Sequence, residues 1–337
     1  MTASPATRAP TPVTPEAAAA HRDYLRQMLL IRHFEEQAGE AYSLGRIGGF
    51  CHLYIGQEAV AVGTLAPLGP ADYVISAYRE HGQALARGIS ARAVMAELYG
   101  KAAGCSKGKG GSMHLFDAEL HFMGGHGIVG SQIPLGAGFA FAAKYRGTDA
   151  VSLCYFGEAA ANIGAFHETL NIAQLWKLPA IFVLENNGYG MGTASHRAAA
   201  GRSLADRAAA YGMVSQVVDG QDVLAVRAAT ELAIARARTD SLPTLLEVRT
   251  YRYVGHSMSD AAHGTYRTKD EVEEYRKRDP IQVLADRMRA GGYLEDHAWA
   301  ALEAEVVAEV EDAVRFAEEA PDPDPAELYT DVYAERS

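Results

Sequence analysis

Val151-Ser-Leu-Cys-Tyr-Phe156 runs into Gly157-Glu158-Ala159-Ala160-Ala161-Asn162, and Ile181-Phe-Val-Leu184 runs into Glu185-Asn186-Asn187-Gly188-Tyr189-Gly190. Both apolar runs have strand length, and Ile163 to Trp176 between them reads as a helix, so the segment is a βαβ unit. A helix from Ser131 to Tyr145 precedes it. Strands at Val214 to Val218 and Thr244 to Val248, around a helix at Asp222 to Ala237, continue it. The predicted fold class is therefore α/β, a mostly parallel sheet with helices on both faces. Helical extensions are expected at the N-terminus, His21 to Ala41, and at the C-terminus, Lys269 to Ala320. Ligands in such sheets gather at the carboxyl ends of strands, where both quoted loops lie. A carboxylate, side-chain amides and small residues are the hard-oxygen ligands and close backbone approach that a magnesium-diphosphate needs. The plainer alternative is that Glu158 caps a helix starting near Asn162 and that Asn186 and Asn187 form a turn.

Composition sets bounds on the function. Of 337 residues 48% are hydrophobic and 22% charged, enough apolar content for a sizeable core in a globular chain. No internal boundary stands out. Residues 18–320 are expected to form a single α/β domain, between a disordered lead-in at 1–17 and an acidic, proline-containing tail at 321–337. A net charge of -11 without a cluster of Lys and Arg argues against a nucleic-acid partner. Cys51, Cys105 and Cys154 form no C-x-x-C pair, so neither a zinc site nor a disulfide framework is indicated, and a reducing, cytoplasmic setting fits. No apolar run approaches the roughly 20 residues of a membrane span. The Pro, Thr and Ala-rich start lacks the apolar core of a secretory signal.

Other loops carry residues suited to an anion. Gly45 to Gly63 is a glycine-rich loop, holding His52, that leads into a helix from about Gln57. Tyr78-Arg79-Glu80-His81-Gly82 places a guanidinium, able to hold phosphate by two parallel hydrogen bonds, just before a helix. Gly255-His256-Ser257-Met258-Ser259-Asp260 places an imidazole in a polar loop after the Thr244 to Val248 strand. Gly100 to Gly130 is expected to be one long structured loop. Within it, Gly125-His126-Gly127-Ile128-Val129-Gly130 matches G-x-G-x-x-G. No strand is predicted over Leu120 to Met123 before it, and no acidic residue follows about 20 residues later, so a dinucleotide site is not expected. Gly104 to Gly111 lacks the spacing and terminal Lys-Ser or Lys-Thr of a phosphate-binding P-loop.

Taken together, Gly49 to Ala59 (Gly-Phe-Cys-His-Leu-Tyr-Ile-Gly-Gln-Glu-Ala), Gly108 to His114 (Gly-Lys-Gly-Gly-Ser-Met-His), Gly124 to Gly130, Leu175 to Pro179, Glu185 to Gly192 and Tyr251 to Asp260 resemble the α subunits of the thiamine-diphosphate-dependent 2-oxo acid dehydrogenases. The likeness runs from about His21 to the tail. Gly-His-Ser-Met-Ser-Asp followed by Tyr266-Arg267-Thr268 is most similar to the pyruvate enzymes; the branched-chain 2-oxo acid and acetoin enzymes share several of the other segments. The resemblance implies a thiamine-diphosphate-binding fold and two cofactors, thiamine diphosphate and Mg2+. The metal would be held by Glu158, the Asn187 side chain and the Tyr189 carbonyl. Tyr78, Arg79 and His256 would contact the diphosphate, with His52 nearby and the amides of Ala159 and Ala160 facing it, while Gly127 and Val129 would offer backbone groups to the aminopyrimidine. His256 is the catalytic acid or base that this chain would provide. A β subunit would supply the glutamate that activates the cofactor, in an α2β2 heterotetramer, and a lipoyl acyltransferase would receive the acetyl unit from pyruvate. Ser257 and Thr265 match positions that kinases modify in mitochondrial relatives.

The sequence departs from that family at the metal loop. The family's loop reads Gly-Asp-Gly, with Asn four residues after the Asp and Gln following it; here Gly157-Glu158-Ala159 precedes Asn162 and Ile163. Glutamate extends the carboxylate by about 1.5 Å, one carbon–carbon bond. Alanine at 159 adds a methyl, and a left-handed backbone there would cost about 1–2 kcal/mol. The alternatives are a working decarboxylase whose loop has adjusted and a cofactor-weakened regulatory paralogue.

Overall fold

The computed structural model describes residues 13–201, 203–261 and 263–333. The described residues form eight strands: β1 (Tyr73–Ala77), β2 (Phe122–His126), β3 (Ser152–Gly157), β4 (Ala180–Asn186), β5 (Tyr189–Gly190), β6 (Thr193–Ala194), β7 (Val214–Asp219) and β8 (Thr244–Arg249). Six of them form one sheet in the order β2-β1-β3-β4-β8-β7, every neighbouring pair parallel; β5 and β6 make a small antiparallel hairpin. The helices are α1 (Pro15–Ser43), α2 (Glu58–Leu65), α3 (His81–Arg87), α4 (Ala91–Leu98), α5 (Gln132–Arg146), α6 (Gly164–Leu175), α7 (Ser195–Ala198), α8 (Val223–Asp240), α9 (Lys269–Arg276), α10 (Pro280–Ala290) and α11 (Asp296–Glu319).

The continuous apolar runs of β3 and β4 follow from burial on both faces. Side chains alternate between two cores, as a period of two requires. Leu153, Tyr155, Ile181 and Val183 join the larger core, which includes residues of α1, α2, α8, α10 and α11. Cys154, Phe156, Phe182 and Leu184 join a smaller core on the opposite face with Ile133, Ala137 and Ala140 of α5 and Phe166 and Leu170 of α6. None of the helices among the described residues is long and apolar enough to cross a membrane.

Two strands of the six-stranded sheet are absent from the sequence reading, as is the short β5–β6 hairpin. β1 is only five residues, Tyr-Val-Ile-Ser-Ala, yet it lies between β2 and β3 inside the sheet. β2, Phe-Met-Gly-Gly-His, falls in the segment expected to be loop, because two glycines hide its strand character. The expectation that no strand precedes G-x-G-x-x-G is therefore corrected. β2 is an edge strand, so a nucleotide at its end would find paired strand ends on one side only. The lead-in expected over residues 1–17 lies outside the described residues as far as position 12; from Pro15, capped by the Thr14 hydroxyl, the chain is in α1. The described part of the acidic tail lies on the lysines of the Gly100 to Gly130 loop, with Asp322 2.8 Å from Lys101, Asp331 3.0 Å from Lys107 and Glu327 3.1 Å from Lys109.

That loop is organised by one carboxylate. Glu97, fully buried near the end of α4, accepts from the amides of Ser106 and Gly108 on one oxygen and of Gly110 and Gly111 on the other, all between 2.7 and 3.0 Å. Gly104 has no room for a side chain, since a Cβ there would stand 2.2 Å from Glu97 Oε2. Replacing Glu97 with Ala strands four amides, and a loss of about 3 kcal/mol or more is expected in the urea-unfolding free energy.

Candidate functional site

Strand register brings the site together. Gly157 pairs with Glu185 and Asn186 with Arg249, so β3, β4 and β8 end level with one another. The loops leaving those ends, with those from β1 and β2, enclose a cleft bordered by Tyr78, Arg79, Val129, Glu158, Ala159, Ala160, Asn187, Tyr189 and His256. An outer chamber of about 690 Å³ shares Tyr78, Val129 and His256 with it and adds His52 and Gly127, together with Ser257 and Thr265. Every residue expected at the site thus borders one of two adjoining cavities. The order of the strands reverses between β1 and β3, which makes this edge the crevice that such sheets offer to ligands.

Glu158 opens a turn of 3-10 helix at the end of β3 and is 4% exposed. Its Oε1 is buried with no hydrogen-bond partner among the described residues. A buried carboxylate oxygen without a donor is costly unless a cation completes it. Asn187 is held from two sides: its Nδ2 donates to Gln57 Oε1 at 3.1 Å, and its Oδ1 accepts from Arg252 Nη1 at 3.2 Å and from the Tyr189 amide at 3.4 Å. Ala159 is not among the residues with positive φ, so the left-handed strain considered for it does not arise. Its methyl faces Gly190, where a Cβ would stand only 2.6 Å away. The bare backbone of Gly190 therefore accommodates the alanine.

Two guanidiniums border the same cleft. Arg79 donates to the carbonyls of Leu53 and His256, each at 2.7 Å, so both terminal nitrogens are fixed by the chain before any ligand arrives. The two parallel bonds to a phosphate expected of Arg79 are not pre-formed; its remaining N–H groups are what a ligand could use. Burial and the neighbouring Arg252 bring the Arg79 guanidinium down to about 10. Arg252 was not singled out from the sequence, although the Tyr-Arg-Tyr run containing it was noted. It is 1% exposed and donates also to Val254 O at 3.1 Å and Tyr266 Oη at 2.9 Å. Gln57 and Glu185 border the cleft as well and were likewise missed. Burial pushes Glu185 up to about 7, against the pull of the Tyr54 hydroxyl that donates to it.

The histidines differ from the sequence expectation. Burial first, then Arg79 and Arg252, bring His256 down to about 4. Burial and Arg79 bring His52 down to about 2, and its ring packs 4.5 Å from Tyr78 and 5.2 Å from His256. An imidazole titrating near neutrality was expected at 256; here it is neutral there and able to accept a proton, until an anion offsets the two guanidiniums. The backbone of His256 is anchored by Asp260, which accepts its amide at 2.8 Å and the Tyr266 hydroxyl at 2.7 Å. The unpartnered Glu158 oxygen, together with the Asn187 amide oxygen and two buried guanidiniums on the same cleft, forms a set suited to a hard metal ion and a polyanion.

Residues 26–326 match the family described as dehydrogenase E1 component. The chain belongs to that family. The α subunit of the pyruvate dehydrogenase E1 component of Rhizobium meliloti is 53% identical over 308 residues, 91% of this chain and 88% of the relative. The corresponding Zymomonas mobilis subunit is 52% identical over 92% of this chain and 87% of its own length. The testis-specific mitochondrial form from Homo sapiens is 47% identical over 93% and 80%. As an E1 component the chain is a subunit of an enzyme, and its α/β sheet is the scaffold of that component.

The depressed histidines make the fold sensitive to acid. An unfolded histidine binds a proton below about 6.5, whereas folded His256 resists protonation down to about 4. The unfolded state therefore binds more protons in that window, and stability falls as pH drops from about 6.5 to 4. Urea midpoints measured across this range should decline for the native chain and decline less steeply for His256→Asn.

Proposed function

We propose that this chain is the α subunit of the decarboxylating component of a pyruvate dehydrogenase complex, and that its cleft holds thiamine diphosphate and Mg2+. The unpartnered Oε1 of Glu158, a residue that borders the cleft together with Arg79 and Arg252, carries the reading. Glu158, the Asn187 side chain and the Tyr189 carbonyl would hold the metal. Tyr78, Arg79 and His256 would meet the diphosphate, the Ala159 and Ala160 amides would face it, and Gly127 and Val129 would present backbone groups to the pyrimidine, with His52 beside them. The cofactor supplies the electron sink for loss of carbon dioxide from a 2-oxo acid. This chain's part is to fix that group by the carboxylate and guanidiniums, to exclude water with the Phe50, Met113 and Met191 side chains of the chamber, and to accept a proton on the neutral imidazole of His256.

The relatives are named α subunits, which supports a β subunit as partner here. An α2β2 heterotetramer and transfer of the acetyl unit to a lipoyl acyltransferase complete the proposal. The pyruvate names of the relatives favour pyruvate over branched-chain 2-oxo acids or acetoin. Against the cofactor-weakened alternative, Arg79, Asn187, Tyr189 and His256 all border the cleft and Ala159 is not in the left-handed region.

Carbon dioxide release by the chain assembled with its β subunit, assayed with pyruvate, 2-oxobutyrate and branched 2-oxo acids, tests the reading. Pyruvate should give the highest kcat/KM, and turnover should require both Mg2+ and thiamine diphosphate. Removing one ligand carboxylate from a hard-cation site forfeits its main charge. Glu158→Ala should therefore raise the Mg2+ dissociation constant by at least about tenfold, the order of magnitude that even outer partners of a metal site command. Equal Mg2+ affinity in native protein and variant would remove Glu158 from the site.

A further inference from the structure

Outside the cleft, two phenols from different strand ends converge on one carboxylate. Glu271, in the first turn of α9, accepts from Tyr189 Oη at 2.8 and 3.0 Å on its two oxygens, and from Tyr251 Oη at 2.9 Å. Tyr189 follows the end of β4 and Tyr251 follows the end of β8. Glu271 has a firm seat: its amide donates at 3.1 Å to Thr268 Oγ, the cap of α9. One helical turn further on, Tyr275 stacks on the Tyr251 ring at 3.8 Å with the planes 4° apart. Burial and the Glu271 carboxylate push the Tyr189 phenol up to about 12, so it stays a donor.

These bonds close a circuit. Arg252 directly follows Tyr251 and donates to Asn187 Oδ1 at 3.2 Å; the Tyr189 amide, two residues on, donates to that same oxygen at 3.4 Å. The route from Tyr189 through Glu271, Tyr251 and Arg252 therefore returns to Asn187. Of its members, Asn187, Tyr189 and Arg252 border the cleft, and Glu271 does not. The Tyr189 backbone is pinned on its other side by pairing with Ala194 in the hairpin.

The geometry points to Glu271 as a positioning residue for the metal loop, tying the Tyr189 carbonyl to the strand exit that carries Arg252. This inference rests on the metal site proposed above. Glu271 acts through two charge-assisted hydrogen bonds and touches neither the cavity nor a reacting group. Residues that orient metal ligands command about 10- to 100-fold in metal affinity when replaced.

Calorimetric titration of Mg2+ into the full chain assembled with its β subunit, at saturating thiamine diphosphate, tests it. Glu271→Ala should raise the dissociation constant on the order of tenfold, with kcat at saturating metal close to the native value. Glu271→Gln keeps an oxygen acceptor for the phenols and should recover most of the loss. Tyr189→Phe, which retains the backbone carbonyl, breaks one of the two bonds of the clamp and should raise the dissociation constant too, and the double variant should be no worse than Glu271→Ala, in which the Tyr189 bond is already lost. Native Mg2+ affinity in a folded Glu271→Ala, or additive effects in the double variant, overturns the assignment. Where Glu271→Ala does not fold, Tyr189→Phe and Glu271→Gln decide it: native affinity in both overturns the clamp. Absence of Mg2+ binding in the native assembly would instead overturn the proposed function.

Discussion

The register of the parallel sheet is the constraint on which the site depends. Pairing Gly157 with Glu185 and Asn186 with Arg249 makes three strands stop at one level, so the residues that follow them emerge side by side. A slip of one residue would exchange the faces of every side chain and bury Leu153 and Tyr155 in the wrong core. Two cores therefore hold the register, and the register holds the site. Glu158, Asn187 and Arg252 are separated by up to 94 residues, the difference of their sequence numbers, yet all three border the same cleft.

The electrostatics of that cleft is strained in a way that favours a particular occupant. Arg79 and Arg252 are both buried, and burial followed by the Arg252 charge lowers the Arg79 guanidinium, while Glu158 is desolvated with one oxygen lacking a donor. Burial also pushes Glu158 upward against the pull of those two guanidiniums. A cation beside Glu158 and an anion beside the arginines relieve both penalties at once, which a metal ion bridged to a polyanion does. The same two positive charges, together with burial, keep His256 neutral. The pair of guanidiniums thus bears on both the anion the cleft would take and, after burial, the imidazole beside it.

Much of the fold was legible because burial on both faces leaves uninterrupted apolar runs. β3, β4, β7 and β8 and the helices between them appear in the structure within a few residues of their expected limits. β1 and β2 were not legible: one is short, and the other carries two glycines whose strand conformation is imposed by pairing with β1. The loops expected to meet do meet, since their positions follow from the strands. Arg252, Gln57 and Glu185 were missed because nothing in their local sequence distinguishes a side chain turned into a cleft from one turned to solvent. Whether Ala159 would need a left-handed backbone was likewise not legible, and neither was the room that Gly190 leaves for its methyl.

By itself the sequence determined the fold class, the edge of the sheet at which chemistry occurs, and the residue types available there, because hydrophobic period and strand length are local properties. Which way each polar group faces, and therefore its protonation, was decided only by the tertiary structure. Burial and the approach of charges from distant strands shift His256, Arg79 and Glu158 together, and those distances exist only once the sheet has closed its register. The opening loop shows the division clearly. Sequence placed a carboxylate at the end of β3, and packing left one of its oxygens without a partner among the described residues, on a cleft that two arginines also border.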